Sequence, residues 1–180
     1  MSIQSKKILL FADGPNIDEI NNDYKIEIDG YTFNPSLFKK NGAKDYLNYC
    51  KEILNKCSEK PVSLEVFADE EKDMINQARV INNLGKNVYV KIPIIYTNGK
   101  STLNTIRTLV DENIKLNITA IFLIEQIKDI MSSIRDTKTI LSVFAGRIYD
   151  SGIDAQENMK EINKFVHQNS KCQSLWASTR

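Results

Sequence analysis

The sequence predicts an α/β chain in which a parallel sheet is joined by crossover helices. Two observations carry this. Seven short apolar runs alternate along the chain with segments of helical period. Within nearly every run, the polar residues fall on one face only. The alternation is compatible with an open doubly wound sheet or a closed (β/α)₈ barrel.

The first strand candidate is Ile8 to Asp13, followed by a connection, Ile17 to Asp29, that is rich in Asn and Asp and has the weakest helix signal. Tyr31 to Asn34 is the second strand, and Leu47, Cys50, Leu54 and Cys57 give the helical spacing after it. Val62 to Ala68 is the third. Asp69 then reads as an N-cap ahead of Glu70 and Glu71, and Met74, Ala78 and Ile81 continue that helix. Val88 to Ile95 is the fourth strand, with Leu103, Ile106 and Val110 marking the next helix. Leu116 to Phe122 and Ile140 to Phe144 follow, separated by the helical positions Ile127, Ile130 and Ile134. A last helix through Met159, Ile162 and Val166 leads to the seventh strand, Gln173 to Ser178. The turn after the first strand, Asp13-Gly14-Pro15-Asn16, carries neither dinucleotide nor P-loop glycine spacing.

The fourth strand holds the residue that points to chemistry. Val88, Val90 and Ile92 form an apolar face, while Lys91 lies on the other with Tyr89 and Pro93. A buried ammonium costs several kcal/mol unless it pairs with a carboxylate or loses its proton, and a neutral amine attacks carbonyl carbon. The neighbouring strands repeat the pattern. Asp13 ends the face opposite Ala12, Thr32 and Asn34 share a face, and Ser63 and Glu65 oppose Leu64 and Val66. Asn117 and Thr119 oppose Leu116 and Ile118, Ser142 and Phe144 oppose Leu141 and Val143, and Ser174, Trp176 and Ser178 oppose Leu175 and Ala177. Two carboxylates, an amide and an amine on one common face are costly unless they form a site. The upper interior of a barrel is where such groups converge.

Composition narrows the function. The 180 residues are 42% hydrophobic and 26% charged, with a formal net charge of +1. That balance offers no basic footprint for nucleic acid or an anionic membrane, and no run approaches the roughly 18 apolar residues of a membrane span. The expected compartment is the cytoplasm, since Met1 to Lys7 lacks the pattern of a signal peptide. Cys50, Cys57 and Cys172 are an odd number in apolar patterns and read as core residues. With His167 the only histidine, a Ser-His-Asp triad or a histidine-rich zinc site is not expected.

The motifs together resemble one family. Phe11-Ala12-Asp13-Gly14-Pro15-Asn16-Ile17-Asp18 is similar to the F-L-D-T-A-N-I-D start of transaldolases, and Gly30-Tyr31-Thr32-Phe33-Asn34-Pro35-Ser36 to G-V-T-T-N-P-S. Ser63-Leu64-Glu65-Val66 resembles V-S-x-E-V, and Val90-Lys91-Ile92-Pro93 resembles the V-K-I-P lysine strand. Asn117-Ile118-Thr119 resembles N-x-T, Ser142 to Arg147 resembles S-P-F-V-G-R, and Ala177-Ser178-Thr179-Arg180 resembles A-S-F-R. The matches run in the family's order, one per strand, and point to the small transaldolases and fructose-6-phosphate aldolases.

The resemblance implies a (β/α)₈ barrel in a single domain and a set of roles. Lys91 would form a Schiff base with a ketose, Asp13 would take and return the C4 hydroxyl proton, and Glu65 with Thr119 would hold a relaying water. Asn34 and Asn117 would bind hydroxyls of the dihydroxyacetone part, with Thr32, Ser142 and Phe144 completing the pocket. Arg147, Ser178 and Arg180 would hold the sugar phosphate. No cofactor or metal is implied, because the iminium supplies the electrophile.

Glu65 and Phe144 are of the transaldolase kind, where the aldolase branch usually has Gln and Tyr. The expected activity is transfer of a dihydroxyacetone unit from fructose 6-phosphate or sedoheptulose 7-phosphate to an aldose phosphate, within the pentose phosphate pathway. The alternatives are a fructose-6-phosphate-type aldolase and a sugar-phosphate-binding barrel without turnover. Phe33, Gly14-Pro15, Val143 and Ile94-Ile95-Tyr96 depart from the family pattern. By parity Phe33 is expected to be a packing change on the helix side. The sequence ends after its seventh strand, so the reading also expects a further C-terminal piece of roughly 30–40 residues, about one β/α unit with the helix before it. Assembly into a homo-oligomer is left open, because the C-terminal helix assists assembly in small transaldolases.

Overall fold

A computed structural model describes residues 8–20, 27–57 and 59–179. Its strands are β1 (Phe11–Asp13), β2 (Gly30–Thr32), β3 (Val62–Glu65), β4 (Val88–Pro93), β5 (Leu116–Ile121), β6 (Ile140–Val143) and β7 (Gln173–Trp176). Its helices are α1 (Pro35–Lys40), α2 (Tyr46–Cys57), α3 (Glu71–Asn82), α4 (Leu103–Asp111), α5 (Ile124–Ile134), α6 (Ala145–Asp150) and α7 (Ala155–Asn169).

The strands are all parallel and lie in the order of the sequence, β1 through β7. That order removes the doubly wound alternative, which requires a reversal at a switch point. The sheet also curls. Asn117 on β5 donates from Nδ2 to Ser63 Oγ on β3 at 2.9 Å, passing across β4, and two side chains this short meet over an intervening strand only on a concave face. The architecture is of the (β/α)₈ barrel kind, with β1 and β7 at the two ends of the described sheet.

The helices cover the outside, with α3, α4 and α5 side by side in chain order. Val88, Val90 and Ile92 of β4 and Leu116 and Ile118 of β5 are fully buried against them, beside Met74, Ala78, Ile106, Leu109, Ile127 and Ile130. Cys50, Cys57 and Cys172 are buried core residues, as their pattern predicted. Phe33 is fully buried and packs on Phe38 of α1 with ring centroids 5.5 Å apart, so it is a helix-side packing residue. Ile92→Ala should cost about 2–5 kcal/mol, because it empties a filled site directly beside the lysine. Urea unfolding of the variant against the parent measures this.

The structure corrects several expectations. The first strand begins at Phe11 rather than Ile8, and Ile8, Leu9 and Leu10 are exposed at the sheet's end. Residues 21–26 of the first connection lie outside the described residues. Two six-residue helices, α1 and α6, were not anticipated, since less than two turns leave no periodicity to count. A cap signal for α1 was nevertheless present: Asn34 accepts from Leu37 N at 2.9 Å, and Pro35 sits in the first turn. Asp69 is not the cap of α3. Glu70 holds that position without a side-chain cap bond, and Asp69 instead accepts from the backbone N–H (2.9 Å) and hydroxyl of Thr97. This clasp joins the loop after β3 to the loop after β4. The two Thr97 bonds hold the Asp69 carboxyl below its ordinary value.

Candidate active site

Parallel register sets the site. Lys91 on β4 is level with Glu65 on β3 and Asn117 on β5, so all three side chains point into the curl. The strand places the Lys91 amine where only 7% of the residue is exposed. Its Nζ lies 3.1 Å from Glu65 Oε2. A cation so enclosed requires such a partner. The carboxyl of Glu65 is pushed up from its ordinary 4.5, first by burial and further by the charge of Asp13, while Lys91 pulls the other way. Asp13, at the end of β1, accepts from Thr32 Oγ1 at 2.7 Å. Lys91, Glu65 and Asp13 therefore act within one electrostatic neighbourhood.

A group whose carboxyl titrates higher folded than unfolded stabilises the fold at low pH, and that contribution is lost as pH rises through its folded value. Glu65→Gln should therefore lose less stability than the parent as pH is raised from 4.5 upward. Urea midpoints at a series of pH values check the sign.

A buried chain of hydrogen bonds lines the floor. Ser142 Oγ donates to Asn117 Oδ1 at 2.7 Å, and Asn117 in turn donates to Ser63. Asn117 is thus fixed in orientation by strands on either side. Thr119, one layer above and level with Pro93, is 1% exposed, and its hydroxyl has no hydrogen-bond partner among the described residues. The backbone bends directly after it. Ala120 has φ +59°, and the β5/β6 register shifts between Ile118 and Ile121. A left-handed alanine within a strand is strained, and such strain gathers where a structure positions functional groups.

The turn beside Asp13 is firmly held. Gly14 has φ +63°, its N–H donates to Thr32 O at 2.8 Å, and a Cβ there would meet Leu37 Cδ1 at 2.5 Å. Asn41 donates to the carbonyls of Gly14 and Pro15 at 3.2 and 3.3 Å. Gly14-Pro15 is therefore a built-in turn that leaves Asp13 tied to Thr32.

The other expected site residues follow β2, β6 and β7 in the chain. Asn34 is the α1 cap described above. Phe144 immediately precedes α6 and meets Phe122 edge to face at 5.8 Å. Arg147 is exposed on α6, and Ser178 follows β7 with φ +55°. Arg180 lies outside the described residues. Sequence reasoning placed Ser63 on the right face but did not include it in the site, although its hydroxyl is what anchors Asn117.

The chain is thus a curled sheet of parallel strands of the (β/α)₈ barrel kind whose concave face holds an enclosed lysine against one carboxylate, with a second carboxylate at the end of the first strand. Comparison with known proteins names the family. Residues 10–180 match the model described as Transaldolase/Fructose-6-phosphate aldolase, and the chain belongs to that family. It is 37% identical over 175 residues to a probable transaldolase of Thermoplasma volcanium, covering 95% of this chain and 75% of the relative. A probable transaldolase of Bartonella henselae is 33% identical over 172 residues (94% and 75%). One from Clostridium kluyveri is 35% identical over 174 residues (95% and 76%).

Proposed function

We propose that this protein is a transaldolase that works through a Schiff base on Lys91. The observation that carries the reading is the Lys91 amine, enclosed in the barrel and 3.1 Å from Glu65. In this reading Lys91 passes one proton to Glu65, the free amine adds to the C2 carbonyl of fructose 6-phosphate or sedoheptulose 7-phosphate, and loss of water gives an iminium. Asp13 takes the proton of the C4 hydroxyl, the C3–C4 bond breaks, and its electron pair passes into the iminium to give an enamine. The aldose phosphate leaves. The enamine carbon then attacks the aldehyde of a second aldose phosphate, Asp13 returns the proton to the new hydroxyl, and water releases the product ketose.

Glu65 and Thr119 hold the water that relays protons while the imine forms and breaks. The raised Glu65 carboxyl suits that work, because it retains a proton to higher pH than a free carboxylate does. Asn34, Asn117, Thr32 and Ser142 bind the dihydroxyacetone part, and Arg147 with Ser178 and Arg180 holds the phosphate. Phe144 offers no hydroxyl to protonate the enamine, which favours waiting for an acceptor over release. On this reading the reaction belongs to the pentose phosphate pathway in the cytoplasm and uses no cofactor. The test supplies fructose 6-phosphate with and without erythrose 4-phosphate. Glyceraldehyde 3-phosphate is expected beyond one equivalent per enzyme only when the acceptor is present. Free dihydroxyacetone without an acceptor would assign the aldolase activity instead, and no turnover of either kind would leave a binding barrel.

A further inference from the structure

The pairing of β2 with β3 leaves one backbone acceptor to be satisfied from elsewhere. Tyr31 N–H donates to Pro61 O and Phe33 N–H to Ser63 O, both at 2.9 Å. The next donor in this alternation is residue 35 and the next acceptor is Glu65 O. Residue 35 is Pro35, the first residue of α1, which has no N–H to give. The structure fills the gap with a side chain. Tyr46, the first residue of α2, donates its hydroxyl to Glu65 O at 2.5 Å. Its ring is clamped between Phe38 at 5.0 Å and Phe67 at 5.5 Å, and Cys50 one turn along α2 interacts with the same phenol.

The residues after Glu65 are held as well. Val66 N–H donates to Lys91 O at 3.0 Å, and Gln77 Oε1 accepts from the N–H groups of Phe67 and Ala68. The Glu65–Val66 peptide is therefore tied to Lys91 O through its N–H, and the Tyr46 bond holds its other end, the carbonyl of the acid facing Lys91.

We propose that Tyr46 is a positioning residue: its hydroxyl replaces the ladder donor that Pro35 lacks and so holds Glu65 at its distance from the Lys91 amine. The inference deepens the transaldolase reading and rests on it for its catalytic consequence, but not for its structural one. The charged and titratable groups facing Glu65 are Lys91 on β4, Asp13 on β1 and Tyr46 on α2, with Cys50 acting on Tyr46 alone. Removing the hydroxyl while keeping the ring leaves Glu65 buried. The peptide relaxes, the carboxylate withdraws from Lys91, and the influence that lowers its titration weakens.

The experiment follows the Glu65 carboxyl by NMR titration in the full chain, in the parent, Tyr46→Phe and Tyr49→Phe. Tyr49 lies on the same helix and serves as the control for loss of a phenol hydroxyl. Tyr46→Phe should raise the Glu65 midpoint by about half a unit or more, and Tyr49→Phe should leave it in place. Where turnover is measured, Tyr46→Phe should lower kcat by about tenfold, the scale of a displaced catalytic group, with KM little changed. An unmoved midpoint, or an equal shift in both variants, would overturn the proposal. Absence of turnover in the parent would remove the transaldolase reading and leave the titration to decide this one. A second measurement needs no variant. In the parent, burial pushes the Tyr46 phenol far up, so it should remain protonated after the exposed tyrosines ionise. Ionisation in the ordinary tyrosine range would place the hydroxyl in solvent and also overturn the assignment.

Discussion

Lys91→Met is expected to lower transfer by roughly four orders of magnitude or more, the scale seen when a covalent nucleophile is removed, while the barrel stays folded. Methionine matches the stem of lysine closely, so the packing beside Val90 and Ile92 survives. What is lost is the ammonium beside Glu65. Burial and Asp13 then raise the Glu65 carboxyl unopposed, and the acid meets the loss by keeping its proton. The sign is testable apart from activity. With its folded value still further above 4.5, Glu65 favours the folded state at low pH, and this is lost as pH rises through the folded value. The variant should compare best with the parent in acid and fall behind towards neutral pH. Urea unfolding across that range gives the comparison, and a steady-state assay gives the loss of transfer.

Asp13→Asn should reduce transfer by about 10²–10⁴-fold, the usual contribution of a general base, while leaving imine formation on Lys91 intact. Asp13 acts at the C4 hydroxyl in the proposed sequence, after the covalent bond to the amine has formed. The asparagine keeps an oxygen for Thr32 Oγ1, so the end of β1 holds its place. Trapping the imine and measuring turnover on the same sample separates the two steps. Loss of both together would mean that Asp13 acts earlier than proposed.

Much of this was legible in the sequence because strand parity is a strict rule. Counting alternate residues put Lys91, Glu65, Asn117 and Ser142 on one face, and the register then set Glu65 and Asn117 level with Lys91. The helix-side residues Val88, Val90 and Ile92 are correspondingly fully buried. Parity cannot show which groups satisfy one another. Asp69 read as a helix cap from its neighbours, yet its partner Thr97 lies 28 positions away on another loop. Asn34 read only as a substrate ligand, although it precedes a proline that begins α1. Tyr46 carried no signal, because its role follows from a donor missing at Pro35 in a different element. The strain at Ala120 was equally hidden, since alanine gives no sign of a left-handed conformation.

The most direct test of the central claim is borohydride reduction in the presence of fructose 6-phosphate, followed by peptide mass spectrometry of the folded protein. The account predicts a reduced sugar adduct on the peptide containing Lys91, absent without the sugar and absent in Lys91→Met. A folded sample with no adduct, or with adducts confined to other lysines, would contradict it.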